Sequence, residues 1–215
     1  MNEQARLSGS AVGMKWLRAL LLATLVVAAG CGDKAPQVPK LAASDVVVAF
    51  GDSLTYGTGA AEHESYPAVL SQLIGRQVER AGVPGEVTAQ SLLRLPEVIA
   101  EHRPALMIVC LGGNDILRKV GVPEIKSNLR AIIKSIRDQG IAVVLVGVPQ
   151  PALITSAPEF YAELAKEFAV PYEGRVITNV LYSSDTKSDP IHPNAKGYRR
   201  IAEALADLLR KSGAI

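Results

Sequence analysis

Apolar residues in this chain follow two rhythms. One is the uninterrupted run. Val46–Gly51, Ala105–Leu111 and Ile141–Val148 show no apolar/polar alternation, so each reads as a strand buried on both faces. Gln77 to Ala81 gives a weaker strand signal, and Val170-Pro171-Tyr172 reads as a short edge segment, where proline is tolerated. The other rhythm is helical. Tyr66, Val69, Leu70, Leu73 and Ile74 fall on one face, as do Ile125, Leu129, Ile132, Ile133 and Ile136 within Pro123 to Asp138. Gly140 stops that second helix. Leu92 to His102 predicts a helix with Pro96 in its first turn, Phe160 to Phe168 another, and Tyr198, Ile201, Leu205, Leu208 and Leu209 line a terminal one.

Strands buried on both faces need helices on both sides, so the alternation predicts an open, mostly parallel sheet of about five strands in an α/β/α sandwich. At 215 residues the chain suits one domain of ordinary size, assigned to residues 45–215. Hydrophobic residues are 48% and aromatics 5%, so Ala, Val, Leu and Ile must build the core. A formal net charge of +2, without Lys/Arg clusters interleaved with aromatics, gives nucleic-acid binding no support.

The first thirty residues read as a targeting element. Lys15 and Arg18 precede the apolar run Ala19 to Ala29, and Ala28-Ala29-Gly30-Cys31 follows. With Cys31 at the junction this resembles a bacterial lipoprotein signal, which implies a lipidated Cys31, membrane anchoring and an envelope location, the outer membrane if the source is Gram-negative. Met14 makes a more compact start than Met1. An ordinary secretory signal with an incidental Cys is the alternative. Residues 31–44, with Pro36 and Pro39, form the tether. The only other cysteine, Cys110, lies inside an apolar strand and is expected to behave as a buried hydrophobe. No Cys/His spacing suits a metal, and no cofactor motif is present: Gly57-Thr58-Gly59 has no Gly-Lys-Ser/Thr after it.

Chemistry concentrates where strands end. Ser53 follows the first strand in Gly51-Asp52-Ser53-Leu54, and Asp189-Pro190-Ile191-His192-Pro193-Asn194 opens the last helix. A serine hydroxyl needs a base to take its proton, and an imidazole can do so near neutral pH. Asp189, separated from His192 by only two residues, can hold the other ring N–H, with Pro193 and Asn194 expected in the helix's first turn. Asp185 is a more distant alternative acid. Attack also requires donors aimed at the oxyanion, for which Gly112-Gly113-Asn114-Asp115 supplies Asn114, and the backbone supplies Gly85 and Ser53. Asp115 is expected to fix the Asn114 turn, and Leu54 and Tyr56 to wall a pocket. His63 and His102 lack patterned partners and read as surface or loop residues.

Gly51-Asp52-Ser53-Leu54, a mid-chain glycine, Gly112-Gly113-Asn114-Asp115 and Asp189-x-x-His192-Pro193 together resemble the GDSL/SGNH hydrolase family. Leu95-Pro96 and Leu164-Ala165-Lys166-Glu167-Phe168-x-Val170-Pro171 resemble its thioesterase I, lysophospholipase and arylesterase branch in particular. The resemblance implies a flavodoxin-like fold, with Ser53 as nucleophile, His192 as base, Asp189 as orienting acid, and an oxyanion hole from Ser53, Gly85 and Asn114. It implies hydrolysis of acyl or aryl esters, lysophospholipids or thioesters, without metal or cofactor. Arg80 stands where the family's second block carries Asn, which leaves Gly82 and Gly85 both open as the donor, with Gly85 favoured by register. A carbohydrate O-acetyl esterase and a non-catalytic lipid- or glycan-binding lipoprotein are the alternative functions.

Overall fold

The computed structural model describes residues 36–150 and 156–215. The signal segment and Cys31 lie outside the described residues, as does part of the loop between Gln150 and Glu159. Elements follow in the order β1 (Val46–Gly51), α1 (Ser53–Tyr56), α2 (Tyr66–Ile74), β2 (Gln77–Gly82), α3 (Thr88–His102), β3 (Leu106–Cys110), α4 (Gly113–Leu117), α5 (Val122–Asp138), β4 (Ala142–Val146), α6 (Glu159–Phe168), β5 (Tyr172–Glu173), α7 (Val176–Tyr182) and α8 (Ala195–Lys211). Two 3₁₀ turns, Glu62–Glu64 and Ser184–Thr186, lie before α2 and α8.

The five strands pair in parallel in the order β2-β1-β3-β4-β5. That is the flavodoxin-like order, whose switch point lies between β1 and β3. Register brings Gly51 level with both Gly82 and Cys110. The loops leaving β1, β2 and β3 therefore open on one crevice at the carboxyl edge, where such sheets bind ligands. One layer packs α2 against α8, with α7 beside it; the other packs α3 against α5, and α5 against α6.

β3 is buried along its whole length, and β1 and β4 nearly so. β2 is a partly covered edge carrying Gln77, Glu79 and Arg80, which accounts for its weak signal. Cys110 is a free, buried thiol. The apolar faces expected of α2 and α5 are the buried ones, with Leu73 packed partly against the core.

Helix boundaries depart from expectation at three places. α3 starts at Thr88, so Pro96 sits mid-helix rather than in the first turn. Pro96 is exposed, so the carbonyl it leaves without a donor lies on the solvent side. α8 starts at Ala195, one residue beyond Asn194, which is its N-cap: the Gly197 N–H donates to its side chain at 3.1 Å, and Pro193 precedes the cap. α7 has no counterpart in the sequence reading. It is two turns long, with no side-chain cap, and buries Ile177, Val180 and Leu181.

Three fully buried tyrosines fasten the helical layers to the crevice. Tyr66 on α2 shares a hydrogen bond with Thr55 of α1 (2.9 Å), Tyr161 on α6 donates to the Leu111 carbonyl after β3 (2.8 Å), and Tyr198 on α8 donates to the Thr58 carbonyl (2.8 Å). Each ring fills core volume while its hydroxyl satisfies a loop that a purely apolar side chain would leave loose.

Candidate active site

Ser53 is the first residue of α1, directly after β1. Asp52 caps that helix, its Oδ1 accepting the Leu54 N–H at 3.0 Å. The motif thus combines a helix cap with a presented serine. Ser53 Oγ lies 3.0 Å from His192 Nε2, and His192 Nδ1 lies 2.7 Å from Asp189 Oδ2. A carboxylate can only accept, so Nδ1 carries the proton toward Asp189 and Nε2 is left to accept from the serine.

The Asp-x-x-His spacing works because the loop closes on itself. Asp189 Oδ1 accepts the N–H groups of Ile191 and His192, both at 2.9 Å, while the Ser188 N–H returns to the His192 carbonyl at 2.9 Å. Desolvation raises the Asp189 carboxyl, but those two N–H groups and the imidazole outweigh it and hold it below its ordinary value. Asp185, the alternative acid, instead pairs with Lys196 at 2.5 Å.

β2 ends at Gly82, and the Val83–Glu86 turn follows, closed by the Glu86 N–H on the Val83 carbonyl at 3.2 Å. Gly85 has φ +80° and Pro84 precedes it, which defines a type II turn. Gly85 lines the cavity. Gly82 does not; a Cβ there would sit 2.3 Å from the Tyr56 nitrogen, so its glycine serves close packing of β2 against α1. Asn114, on α4, donates through Nδ2 to the Glu86 carbonyl (3.0 Å) and to Asp52 Oδ2 (3.2 Å). The Asp115 side chain, expected to fix the Asn114 turn, is directed instead at the start of α3. Its carboxylate accepts the Thr88 N–H at 2.9 Å and the Thr88 hydroxyl at 2.6 Å, capping α3 from a distance.

Several supporting residues were not singled out from sequence. Glu86 and Arg94 form a largely buried bidentate pair (2.7 and 2.8 Å). Arg94 Nη2 also donates to the Gly51 and Ala81 carbonyls at 3.1 and 3.0 Å, and its guanidinium lies 4.3 Å from the centre of the Phe50 ring. This ties the ends of β1 and β2 together beside Ser53. Arg80, in the place of the family's Asn, turns outward: it donates to the Tyr56 carbonyl at 2.7 Å, pairs with Glu62 at 3.0 Å and lies over the Tyr56 ring. Tyr56 is therefore occupied outside the cavity, contrary to expectation, whereas Leu54 does line it. His63 and His102 are both away from the cavity lining.

The cavity holds about 250 Å³ beside Ser53 and His192. Leu54, Pro84, Leu117, Val148, Pro149, Leu181, Pro190 and Ile191 supply an apolar wall around the polar cluster. Among the described residues no group of His, Cys, Asp or Glu side chains could hold a metal ion, and no helix is long and apolar enough to cross a membrane.

Burial pushes the Asp52 carboxyl from an ordinary 3.8 up to about 7, against the Leu54 N–H that favours its charged form. Between those values the native state keeps a proton that the unfolded chain has released. Stability contributed by this group therefore falls as pH rises from about 4 to about 7 and levels off above. Asp52→Asn removes that slope, which urea unfolding between pH 4.5 and 8 reads directly. The variant's stability relative to wild type should climb across the window by on the order of a few kcal/mol. An unchanged pH slope would contradict a neutral buried Asp52.

An α/β sheet with a Ser-His-Asp line across its switch point defines a serine hydrolase of the flavodoxin-like type. The chain belongs to the GDSL-like Lipase/Acylhydrolase family, whose pattern it matches over residues 49–200, and it is an enzyme of ester hydrolysis. It is 30% identical to the Thioesterase 1/protease 1/lysophospholipase L1 of Escherichia coli K12, over 80% of this chain and 86% of that protein. It resembles the crystal structure of AlinE4, an SGNH-hydrolase family esterase, at 29% identity and a TM-score of 0.59, covering 80% of this chain and 98% of the other. The psychrotrophic esterase EstA from Pseudoalteromonas sp. shares the fold, at 20% identity and a TM-score of 0.70, covering 78% and 98%.

Proposed function

We propose that this enzyme cleaves esters of lipophilic acyl groups through an acyl-Ser53 intermediate, on the outer side of a bacterial membrane to which Cys31 tethers it. The observation that carries the reading is the unbroken line from Asp189 through His192 to Ser53, opening on an apolar cavity. Ser53 Oγ adds to the acyl carbon while its proton moves to His192 Nε2, and Asp189 stabilises the resulting imidazolium. The oxyanion takes hydrogen bonds from the Ser53 and Gly85 N–H groups and from Asn114 Nδ2. Asn114 must then give up the longer of its two resting bonds, the 3.2 Å contact to Asp52. Collapse breaks the C–O bond, and His192 returns its proton to the departing alcohol. Water, deprotonated by the same imidazole, attacks the acyl-enzyme, and collapse releases the acid and regenerates Ser53.

The wall supports acyl esters, lysophospholipids or acyl thioesters over acetylated glycans, because Leu117, Val148, Leu181 and Ile191 offer no partners for sugar hydroxyls. The charged n-region, the apolar run Ala19 to Ala29 and the Ala-Gly-Cys31 junction support the anchor. In a p-nitrophenyl ester series we expect kcat/KM to rise about tenfold or more from acetate to a medium-length chain, at about 0.8 kcal/mol per buried methylene until the cavity is full. Steady decline from acetate onward would favour a deacetylase. A folded protein that neither turns over any ester nor reacts with a fluorophosphonate would overturn the hydrolase mechanism.

A further inference from the structure

Arg118 offers a role that neither the triad nor the cavity wall requires. It is the residue after α4, exposed, and its Nη2 donates to the Gly85 carbonyl at 2.7 Å. Four residues earlier on the same helix, Asn114 donates to the next carbonyl in the chain, that of Glu86. One short helix thus grips two successive peptides of the turn that presents the Gly85 N–H. Among the described residues no carboxylate pairs with Arg118, so this carbonyl is its recorded partner.

Such a grip has something to do. Gly85 sits at φ +80°, in a residue whose backbone populates many conformations at little cost. Arg80, where the family carries Asn, is directed to Tyr56 and Glu62 and gives the turn no support from that side. We propose that Arg118 is a positioning residue for the oxyanion hole, holding the Val83–Glu86 turn against α4 so that the Gly85 N–H and Asn114 Nδ2 keep a fixed separation. The inference rests on the hydrolase mechanism above. Arg118 acts through Gly85 and touches no reacting atom. Both acylation and deacylation pass through an oxyanion, so both feel a displaced donor.

The test compares Arg118→Ala, Arg118→Lys and the control Lys119→Ala in the full-length chain, with a neutral p-nitrophenyl ester. Loss of a whole oxyanion donor costs about 10²–10³ in kcat, and a shift of about 1 Å in a reacting geometry about 10². For Arg118→Ala we expect kcat to fall roughly 10- to 100-fold with KM within twofold. Inhibition by an alkyl boronic acid, whose tetrahedral adduct on Ser53 places an oxygen in the hole, should weaken by a similar factor. Arg118→Lys should recover part of the loss, since an ammonium can still donate to one carbonyl, and Lys119→Ala should match wild type. Unchanged kcat in Arg118→Ala overturns the proposal. So does a fall matched by a lower titre of fluorophosphonate-reactive sites, which marks a folding defect, or a rise in KM alone, which marks a substrate contact. A wild type that neither labels nor turns over sinks the mechanism and this inference together, whereas an active wild type with an unaltered variant sinks only the inference.

Discussion

Ser53→Ala should reduce ester turnover by about 10⁶-fold while leaving the fold unchanged. The recorded bond of Ser53 Oγ is the 3.0 Å contact to His192 Nε2, made at a half-buried position on the cavity wall. Removing the hydroxyl deletes the proposed nucleophile, and among the described residues no other hydroxyl bonds His192 Nε2. Thr55 is committed to Tyr66 beneath the site, and Thr58 lines the cavity without a recorded bond to His192. Alanine is also a good helix former, so α1 keeps its geometry and the Asp52 cap keeps its Leu54 partner. Thermal midpoint should therefore move by only a few degrees at most. The measurement is kcat on a p-nitrophenyl ester beside fluorophosphonate labelling and a circular dichroism melt. Retained labelling would place the nucleophile elsewhere; lost turnover accompanied by a collapsed melt would make Ser53 structural.

How much of this was legible before any coordinates depends on where each interaction lives in the chain. β1, β3 and β4 could be read to within one or two residues because burial on both faces removes every polar position from the run. β2 and β5 are edges, and partial cover lets in Glu79, Arg80 and Glu173, which blur the pattern. The Asp189–His192 pair is written locally, since the bonds that join and orient it lie within one loop. By contrast, α3 begins four residues before its apolar pattern because its cap is Asp115, 27 positions away, and no local signal marks that cap. The Arg118–Gly85 bond spans 33 positions and joins a side chain to a carbonyl, which leaves no trace in composition or period. The Val83–Glu86 turn closes on itself locally, but the side chain that grips it comes from a distant element.

Asp189→Asn separates orientation from bulk at the base. The amide oxygen can still accept the Ile191 and His192 N–H groups that Oδ1 now takes, so the loop should hold. The amide nitrogen, however, would face His192 Nδ1 where Oδ2 stands at 2.7 Å, and an NH₂ group opposite a ring N–H is two donors without an acceptor. The ring resolves this by moving its proton to Nε2, which then points a hydrogen at Ser53 and cannot receive one. The same exchange in a buried triad costs about 10⁴ in kcat. Here the Asp189 side chain is 45% exposed, so water can replace part of what the carboxylate supplies. A loss of about 10³-fold is expected, with KM little changed. Asp185→Asn serves as the matched control, because its carboxylate is occupied by Lys196, and it should retain full activity. Measured together on one ester, the pair decides which aspartate serves the imidazole. If Asp189→Asn stays within tenfold of wild type while Asp185→Asn falls, the acid has been misassigned. If both stay active, His192 works without a carboxylate partner, and its tautomer must be set by the backbone loop alone.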